Sequence, residues 1–351
     1  MLDLYRYSGP LVRLLPPEAA HDLAIFLLKH GLVPAQPPAD DSVLAIRLFG
    51  RDFPNPVGLA PGFDKNAQVP DAMLAQGFGF VEVGSVTPRP QPGNPQPRLF
   101  RLVEDRAVIN RMGFNNDGLE VVAARLAARR RIGIVGGNLG KNKDTLDAAA
   151  DYEKGVRALG PLTDYLVINV SSPNTPGLRA LQGRAPLAEL VARTRQALLE
   201  LPAPPPLLLK IAPDLTEEDR RDIAEVALAG GLDGLVVTNT TIDRPGGLVS
   251  RHRAEAGGLS GAPLFEPSTR MLAEMYRLTG GKLPLVGVGG IASAADAYAK
   301  IRAGASLLQL YTAMIYQGPA LVTGIKQGLA ALLRQDRFAS LADAVGADHR
   351  S

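Results

Sequence analysis

The chain has 351 residues, 46% of them hydrophobic, with mean hydropathy +0.04, enough to bury a large core. Net charge is only +3 and the basic residues are scattered, which excludes a nucleic-acid-binding face. There is no cysteine, so disulfides, thiolate nucleophiles and Cys-ligated metals are excluded; His21, His30, His252 and His349 lie far apart, and no metal site is expected.

Residues 2–15 and 18–32 read as two helices, interrupted by Gly9-Pro10 and separated by Pro16-Pro17. The second carries Ala20, Leu23, Ala24, Leu27, Leu28 and Gly31 near one stripe, with Ile25 and Phe26 partly off it. Pro34, Pro37 and Pro38 form a stiff linker. The pair either caps the body of the protein, or lies on a membrane surface or lines an apolar tunnel. No run approaches the ~20 apolar residues of a membrane span, and no signal peptide is visible, so an intracellular protein is expected.

Short apolar runs then recur at 57–60, 78–83, 132–136, 165–170, 207–212, 234–238, 285–288 and 306–310. Helical patterns lie between them at 67–76, 117–129, 145–159, 187–200, 217–229, 268–279, 294–303 and 319–333. Thr216 followed by acids, and Ser293, read as helix starts. Eight strand–helix repeats predict an α/β fold, a (β/α)8 TIM barrel over 41–340, with residues 1–40 as an N-terminal helical extension and 341–351 as a tail. A doubly wound sheet is the alternative. Segments 85–116 and 240–266 are too long for ordinary connections; 98–103 and 107–110 within the first read as a hairpin.

In a barrel, chemistry gathers where strands end. The richest such end is Asn169-Val170-Ser171-Ser172-Pro173-Asn174-Thr175-Pro176, where two prolines stiffen a loop carrying amides and hydroxyls. The other ends supply Pro61, Gly62, Phe63, Asp64, Lys65, Ser85, Asn138, Lys210, Thr238, Asn239 and Thr240. The long loop after strand 2 adds Asn110, Arg111, Met112, Gly113, Phe114 and Asn115. Asp64 stands beside Lys65 and is expected to pair with it. Carboxylates are otherwise almost absent, which argues against a glycosidase and against a Mg²⁺ site. Gly136-Gly137-Asn138-Leu139-Gly140-Lys141 lacks the spacing of a P-loop, and Gly287-Val288-Gly289-Gly290 that of a Rossmann fingerprint. Amides, hydroxyls and two lysines suit a flat polar anionic ring, and glycine-rich ends on strands 7 and 8 suit a phosphate, which together suggest FMN.

These residues resemble those of the quinone-dependent (class 2) dihydroorotate dehydrogenases, the bacterial members in particular. The resemblance rests on Gly62-Phe63-Asp64-Lys65-Asn66, residues 86–95, Asn110-Arg111-Met112-Gly113-Phe114-Asn115-Asn116, residues 169–179, Lys210-Ile211-Ala212-Pro213, Thr238-Asn239-Thr240-Thr241 and Gly258-Leu259-Ser260-Gly261. It implies oxidation of (S)-dihydroorotate to orotate in pyrimidine synthesis, with FMN as prosthetic group and a membrane quinone as acceptor. Pro61, Gly62, Phe63, Asp64, Lys65, Ser85, Asn138, Asn169, Lys210 and Thr238 match flavin positions, and Gly261, Gly290, Tyr311 and Thr312 the phosphate side. Lys65, Asn110, Arg111, Met112, Gly113, Phe114, Asn115, Asn169, Asn174, Asn239 and Thr240 match substrate positions. Ser172 matches the catalytic base, where class 1 relatives carry cysteine.

The implied chemistry has Ser172 taking the C5 proton, with Thr175 and an ordered water as relay, while C6 delivers hydride to the flavin. Lys210 is expected to stabilise the reduced flavin, and Arg101 and Tyr311 to stand near the quinone. A peripheral monomer at the cytoplasmic face of the inner membrane is implied. A dihydrouridine synthase would want a catalytic cysteine and a basic RNA face; a non-catalytic barrel would carry no flavin.

Overall fold

The computed structural model describes residues 5–36 and 40–350. The expected start of the first helix at residues 2–4, and Pro37 and Pro38 of the linker, lie outside them. The body is a closed barrel of eight parallel strands: β1 (Val57–Leu59), β2 (Phe80–Val86), β3 (Ile134–Leu139), β4 (Tyr165–Asn169), β5 (Leu207–Ile211), β6 (Gly234–Val237), β7 (Leu285–Val288) and β8 (Ala305–Leu310). β8 closes on β1 through the register Leu308 to Val57. Every residue of these strands is buried, because side chains of one face fill the barrel and those of the other meet the helices. All eight expected strands are present. β2 and β3 run past their expected ends, to Val86 and Leu139, which draws Gly84, Ser85 and Asn138 out of the loops and into the sheet.

The barrel floor is aromatic. Phe80 and Tyr165 point inward with ring centroids 6.2 Å apart, and Phe53 meets Phe80 edge-on at 5.4 Å. The rings lie directly on Gly58 and Gly136, where a Cβ would stand 2.3 and 2.1 Å from them. Phe53 belongs to a short hairpin, Ile46–Leu48 with Arg51–Phe53, that closes the bottom of the barrel. Strands of three residues are too short to read from periodicity.

Helices follow the strands on the outside. Thr216 caps Glu217–Ala229 in a reciprocal pairing with Asp219, and Ser293 caps Ala294–Arg302, as their sequence signals indicated. The helix expected over 67–76 shrinks to Pro70–Leu74, since Asp64 engages the backbone of Gln68 and Val69 and holds that stretch as a loop. The stretch expected as a tail packs onto the barrel: Leu341 and Ala344 are fully buried, and His349 stacks on Tyr276.

Over the mouth, the expected hairpin Leu99–Leu102 and Ala107–Asn110 gains a third strand, Gly258–Gly261, from the second long segment. Its Phe100, Leu102, Ala107, Ile109 and Leu259 form a small core of their own. Beside it lie α1 (Tyr5–Val12) and α2 (Pro17–Lys29). α1 runs through Gly9-Pro10 rather than breaking there, because Tyr5 Oη donates to Ile315 O at 2.8 Å and anchors it to the helix Thr312–Gln317. α2 buries Ala20, Ile25 and Leu28, while Leu23 is exposed. The stripe is therefore rotated from the expected one, since contact with the barrel wall, not maximal apolarity, selects the buried face.

Candidate active site

One cavity of about 1000 Å³ runs from the barrel mouth to the cleft between α1 and α2. Its inner wall holds Lys65, Ser85, Asn169, Ser172, Lys210, Thr238, Asn239 and Thr240; its outer wall holds Leu23, Phe26, Leu27 and Pro319. A polar ligand can therefore sit in the mouth while an apolar one approaches along the helices. Among the described residues no cluster of His, Cys, Asp or Glu could hold a metal ion.

The inner wall is built on a hydrogen-bond network. Asn169, at the end of β4, donates through Nδ2 to Ser85 Oγ at 2.9 Å and to Asn138 Oδ1 at 3.1 Å. Ser85 also donates to Asn138 Oδ1. Asn138 donates through Nδ2 to Glu82 Oε1 at 2.7 Å. Glu82 is fully buried in the middle of β2, where Tyr165 Oη and Gln309 Nε2 donate to its other oxygen at 3.2 and 2.5 Å. Both Glu82 and Gln309 escape a reading of strand ends, because they stand inside apolar strands. A lone acid inside an otherwise apolar β2 is the one signal that could have found it.

Lys210 ends β5 at 4% exposure and has no hydrogen bond or ion pair among the described residues. Burial pushes its ammonium below the usual lysine range, opposed by the Glu82 charge. Lys65 is pushed down to about 8, first by burial and then by the nearby Arg98. Its Nζ donates to Gly62 O at 2.8 Å, not to Asp64. The expected Asp64–Lys65 pair is thus replaced by two internal tasks, because both Asp64 oxygens accept backbone N–H groups at 2.8 Å.

The loop after β4 holds Ser172 at 7% exposure with its Oγ accepting from Asn174 N at 3.3 Å. Asn174 Nδ2 donates to Asn110 Oδ1 at 3.2 Å, tying this loop to the sheet over the mouth. Ser171 joins the two sides: its Oγ donates to Asn169 Oδ1 at 2.9 Å and accepts from Asn239 Nδ2 at 3.0 Å. Thr240 sits against Gly258, where a Cβ would come within 2.0 Å of its hydroxyl. The hydroxyls of Thr175 and Thr240, Asn115 Oδ1 and Gln309 Oε1 are buried with no hydrogen-bond partner among the described residues.

The residues singled out by sequence come together with three exceptions, Asn138, Arg111 and Thr175, the last of which is buried beside the loop without lining the cavity. Pro61, Gly62, Phe63, Asp64, Asn110, Met112, Gly113, Phe114, Asn115, Asn174, Gly261, Gly290, Tyr311 and Thr312 also line the cavity. Asn138 lies beneath the wall and acts on it through Ser85 and Asn169. Arg111 turns away, paired with Glu255 at 2.8 Å and resting on the Phe100 ring at 4.5 Å. Toward the outer wall, His21 meets Phe63 edge-on at 5.4 Å and Phe63 meets Tyr311 at 5.7 Å. Burial and the Lys65 charge push His21 down to about 4. Arg101 donates to Arg13 O and Leu15 O, both at 2.8 Å, and closes the end of the cleft.

A closed parallel (β/α)8 barrel with amides, hydroxyls and buried lysines at the carboxyl ends of its strands is the architecture of a barrel enzyme. The model of the family described as dihydroorotate dehydrogenase matches residues 43–333. A Rhodospirillum rubrum protein named dihydroorotate dehydrogenase (quinone) is 64% identical over 100% of this chain and 96% of its own. The mouse protein named dihydroorotate dehydrogenase (quinone), mitochondrial, is 54% identical over 97% of this chain and 89% of its own. A crystal structure from Eimeria tenella, solved in complex with ferulenol, is 46% identical with a TM-score of 0.92, covering 95% of this chain and 96% of that one. The chain belongs to the dihydroorotate dehydrogenase family of oxidoreductases, among relatives named for a quinone.

Proposed function

We propose that this enzyme oxidises (S)-dihydroorotate to orotate in pyrimidine synthesis, with FMN in the barrel mouth and a membrane quinone reaching it between α1 and α2. The observation that carries this reading is the single cavity joining a polar mouth to an apolar cleft. The mouth fits a flavin: among the described residues Lys210 is a buried cation without a hydrogen-bond or ion-pair partner, and Gln309 Oε1 and Thr240 Oγ1 are buried with no partner of their own. Gly261 and Gly290 line the far side, each at positive φ and with neighbouring backbone 2.4 Å from where a Cβ would stand, and the phosphate is assigned to this glycine-built side. FMN, if bound there, would supply the two-electron redox chemistry between dihydroorotate and the quinone.

Ser172 takes the proton from C5. A serine hydroxyl is a weak base, so its own proton must have somewhere to go. The buried, unpartnered Thr175 hydroxyl three residues on, with an ordered water, serves as that exit. Asn110, Asn115, Asn174, Asn239 and Thr240 hold the pyrimidine and its carboxylate, with Lys65 supplying the cation. Lys210 stabilises negative charge gathering on the flavin side. Arg101 and Tyr311 border the quinone's place.

The surface supports membrane association. Tyr7, Leu11, Leu14, Leu15, Phe26 and Leu32 are exposed on and around α1 and α2. No helix among the described residues is long and apolar enough to cross a bilayer. These exposed side chains support the pair lying on a membrane surface, and the family reading puts that surface at the cytoplasmic face of the inner membrane, where a quinone can enter from the lipid.

The deciding experiment is the visible spectrum of the purified protein before and after anaerobic dihydroorotate. A flavin spectrum that bleaches is expected. A colourless protein, or a flavin that dihydroorotate leaves oxidised, rejects the proposal.

A further inference from the structure

Glu82 has no part in the chemistry above, yet it sits at the root of the network that builds the mouth. A carboxylate only accepts hydrogen bonds, whereas an asparagine amide can face either way. Asn138 must therefore turn Nδ2 toward Glu82 Oε1, at 2.7 Å, and Oδ1 toward Ser85 and Asn169. Both of those then act as donors. Asn169, with its Nδ2 spent on Ser85 and Asn138, presents Oδ1 to the Ser171 hydroxyl at 2.9 Å. The Ser171 oxygen in turn accepts from Asn239 Nδ2 at 3.0 Å, and Asn239 Oδ1 accepts from Thr240 N at 2.9 Å. A second arm starts at the same acid: Gln309 Nε2 donates to Glu82 Oε2 at 2.5 Å, which leaves Gln309 Oε1 as the unpartnered end. Gln309 lines the cavity.

We propose that Glu82 is a positioning residue whose buried carboxylate fixes the donor–acceptor polarity of the barrel mouth, so that Ser85 and Gln309 meet the ligand as acceptors while Lys210 meets it as the donor. The ligand edge that this arrangement selects carries N–H groups toward Ser85 and Gln309 and a negative charge toward Lys210. The inference rests on the flavin reading above and goes beyond it by assigning that polarity to one acid beneath the site.

Glu82→Gln keeps the shape and removes both the charge and the obligatory acceptor. The variant is expected to fold and hold flavin, with a shifted visible band, a more positive flavin midpoint potential, and anaerobic reduction by dihydroorotate slowed about 10-fold, the scale of one misdirected buried hydrogen bond. The double variant Glu82→Gln/Asn138→Asp moves the carboxylate one link along: the new amide on β2 donates to the new carboxylate on β3, which still accepts from Ser85 and Asn169. It is expected to restore the band position and most of the reduction rate. A merely space-filling acid predicts no such rescue. Wild-type spectrum, potential and reduction rate in the single variant would overturn the proposal. So would a folded double variant with a flavin as perturbed as the single, or failure of both variants to fold. If the wild-type flavin itself is not bleached by dihydroorotate, the functional reading fails; if it bleaches and Glu82→Gln matches it, only this inference fails.

Discussion

The role proposed for Ser172 rests on position, since no histidine stands in its loop and, among the described residues, its hydroxyl accepts only from Asn174 N. Ser172→Ala is expected to keep the flavin and bind orotate while losing roughly 10²–10⁴-fold in flavin reduction, the usual range for a missing general base. Stopped-flow reduction under anaerobic conditions checks it; near-normal reduction would remove Ser172 from the mechanism. Lys300 is a different kind of residue. It is fully buried, donates to Ser268 Oγ at 2.8 Å and Thr269 Oγ1 at 3.0 Å, and has no ion pair among the described residues. Burial pushes it down to about 7. An unfolded lysine keeps its proton to about 10.4, so between roughly pH 7 and 10 the unfolded chain binds more protons and folding becomes more favourable as pH rises. Wild type is expected to gain on the order of 1–2 kcal/mol over Lys300→Met between pH 7 and 9. Parallel pH profiles of urea unfolding for the two proteins would refute it.

At the scale of elements, α2 is pinned to the sheet over the mouth by one ion pair. Arg98 Nη2 donates to Glu18 at 2.9 Å, and its Nη1 donates to Pro92 O and Asn94 O at 2.6 and 2.9 Å. The Arg98 hydrogen bonds hold the Glu18 carboxyl below its usual range. The tether is therefore complete above the ordinary glutamate range and is lost as pH falls through that lowered value. Glu18→Gln leaves Arg98 held by the loop but frees α2, at a cost of about 1–3 kcal/mol. The rate with a lipophilic quinone is expected to fall several-fold while the rate with a soluble dye stays unchanged. Equal losses with both acceptors would show that the pair supports the barrel, not the quinone path. Neither partner was legible in advance, since they are eighty residues apart and meet only when the hairpin folds over the mouth.

For the whole molecule, α1 and the turn after it expose Tyr7, Leu11, Leu14 and Leu15, and on α2 the half-exposed Phe26 also lines the cavity. Leu11→Ser, Leu14→Ser and Phe26→Ser together are expected to leave stability within about 0.5 kcal/mol per site, because these side chains face solvent. They should nonetheless release the protein from vesicles of bacterial lipid in a flotation assay, at about 0.8 kcal/mol per buried CH₂ lost. Unchanged flotation would place the membrane contact elsewhere. The sequence by itself determined the barrel and the residues at its strand ends, because an all-parallel sheet buried on both faces demands continuous apolar runs, and each run stops where polar groups begin. The rigid Ser172 loop was readable for the same local reason: prolines dictate backbone shape wherever they stand. What only the tertiary structure decided were the long-range choices. Barrel closure turned Glu82 and Gln309 inward, and set Glu82 against Asn138 of the neighbouring strand. Packing rotated α2 so that Ile25, not Leu23, is buried. Arg111 left the cavity because Glu255 and Phe100 offered it a charge and a ring on the other side of the sheet. Each of these depends on a partner far along the chain, and the energy of burying a polar group is set by that partner rather than by its sequence neighbours.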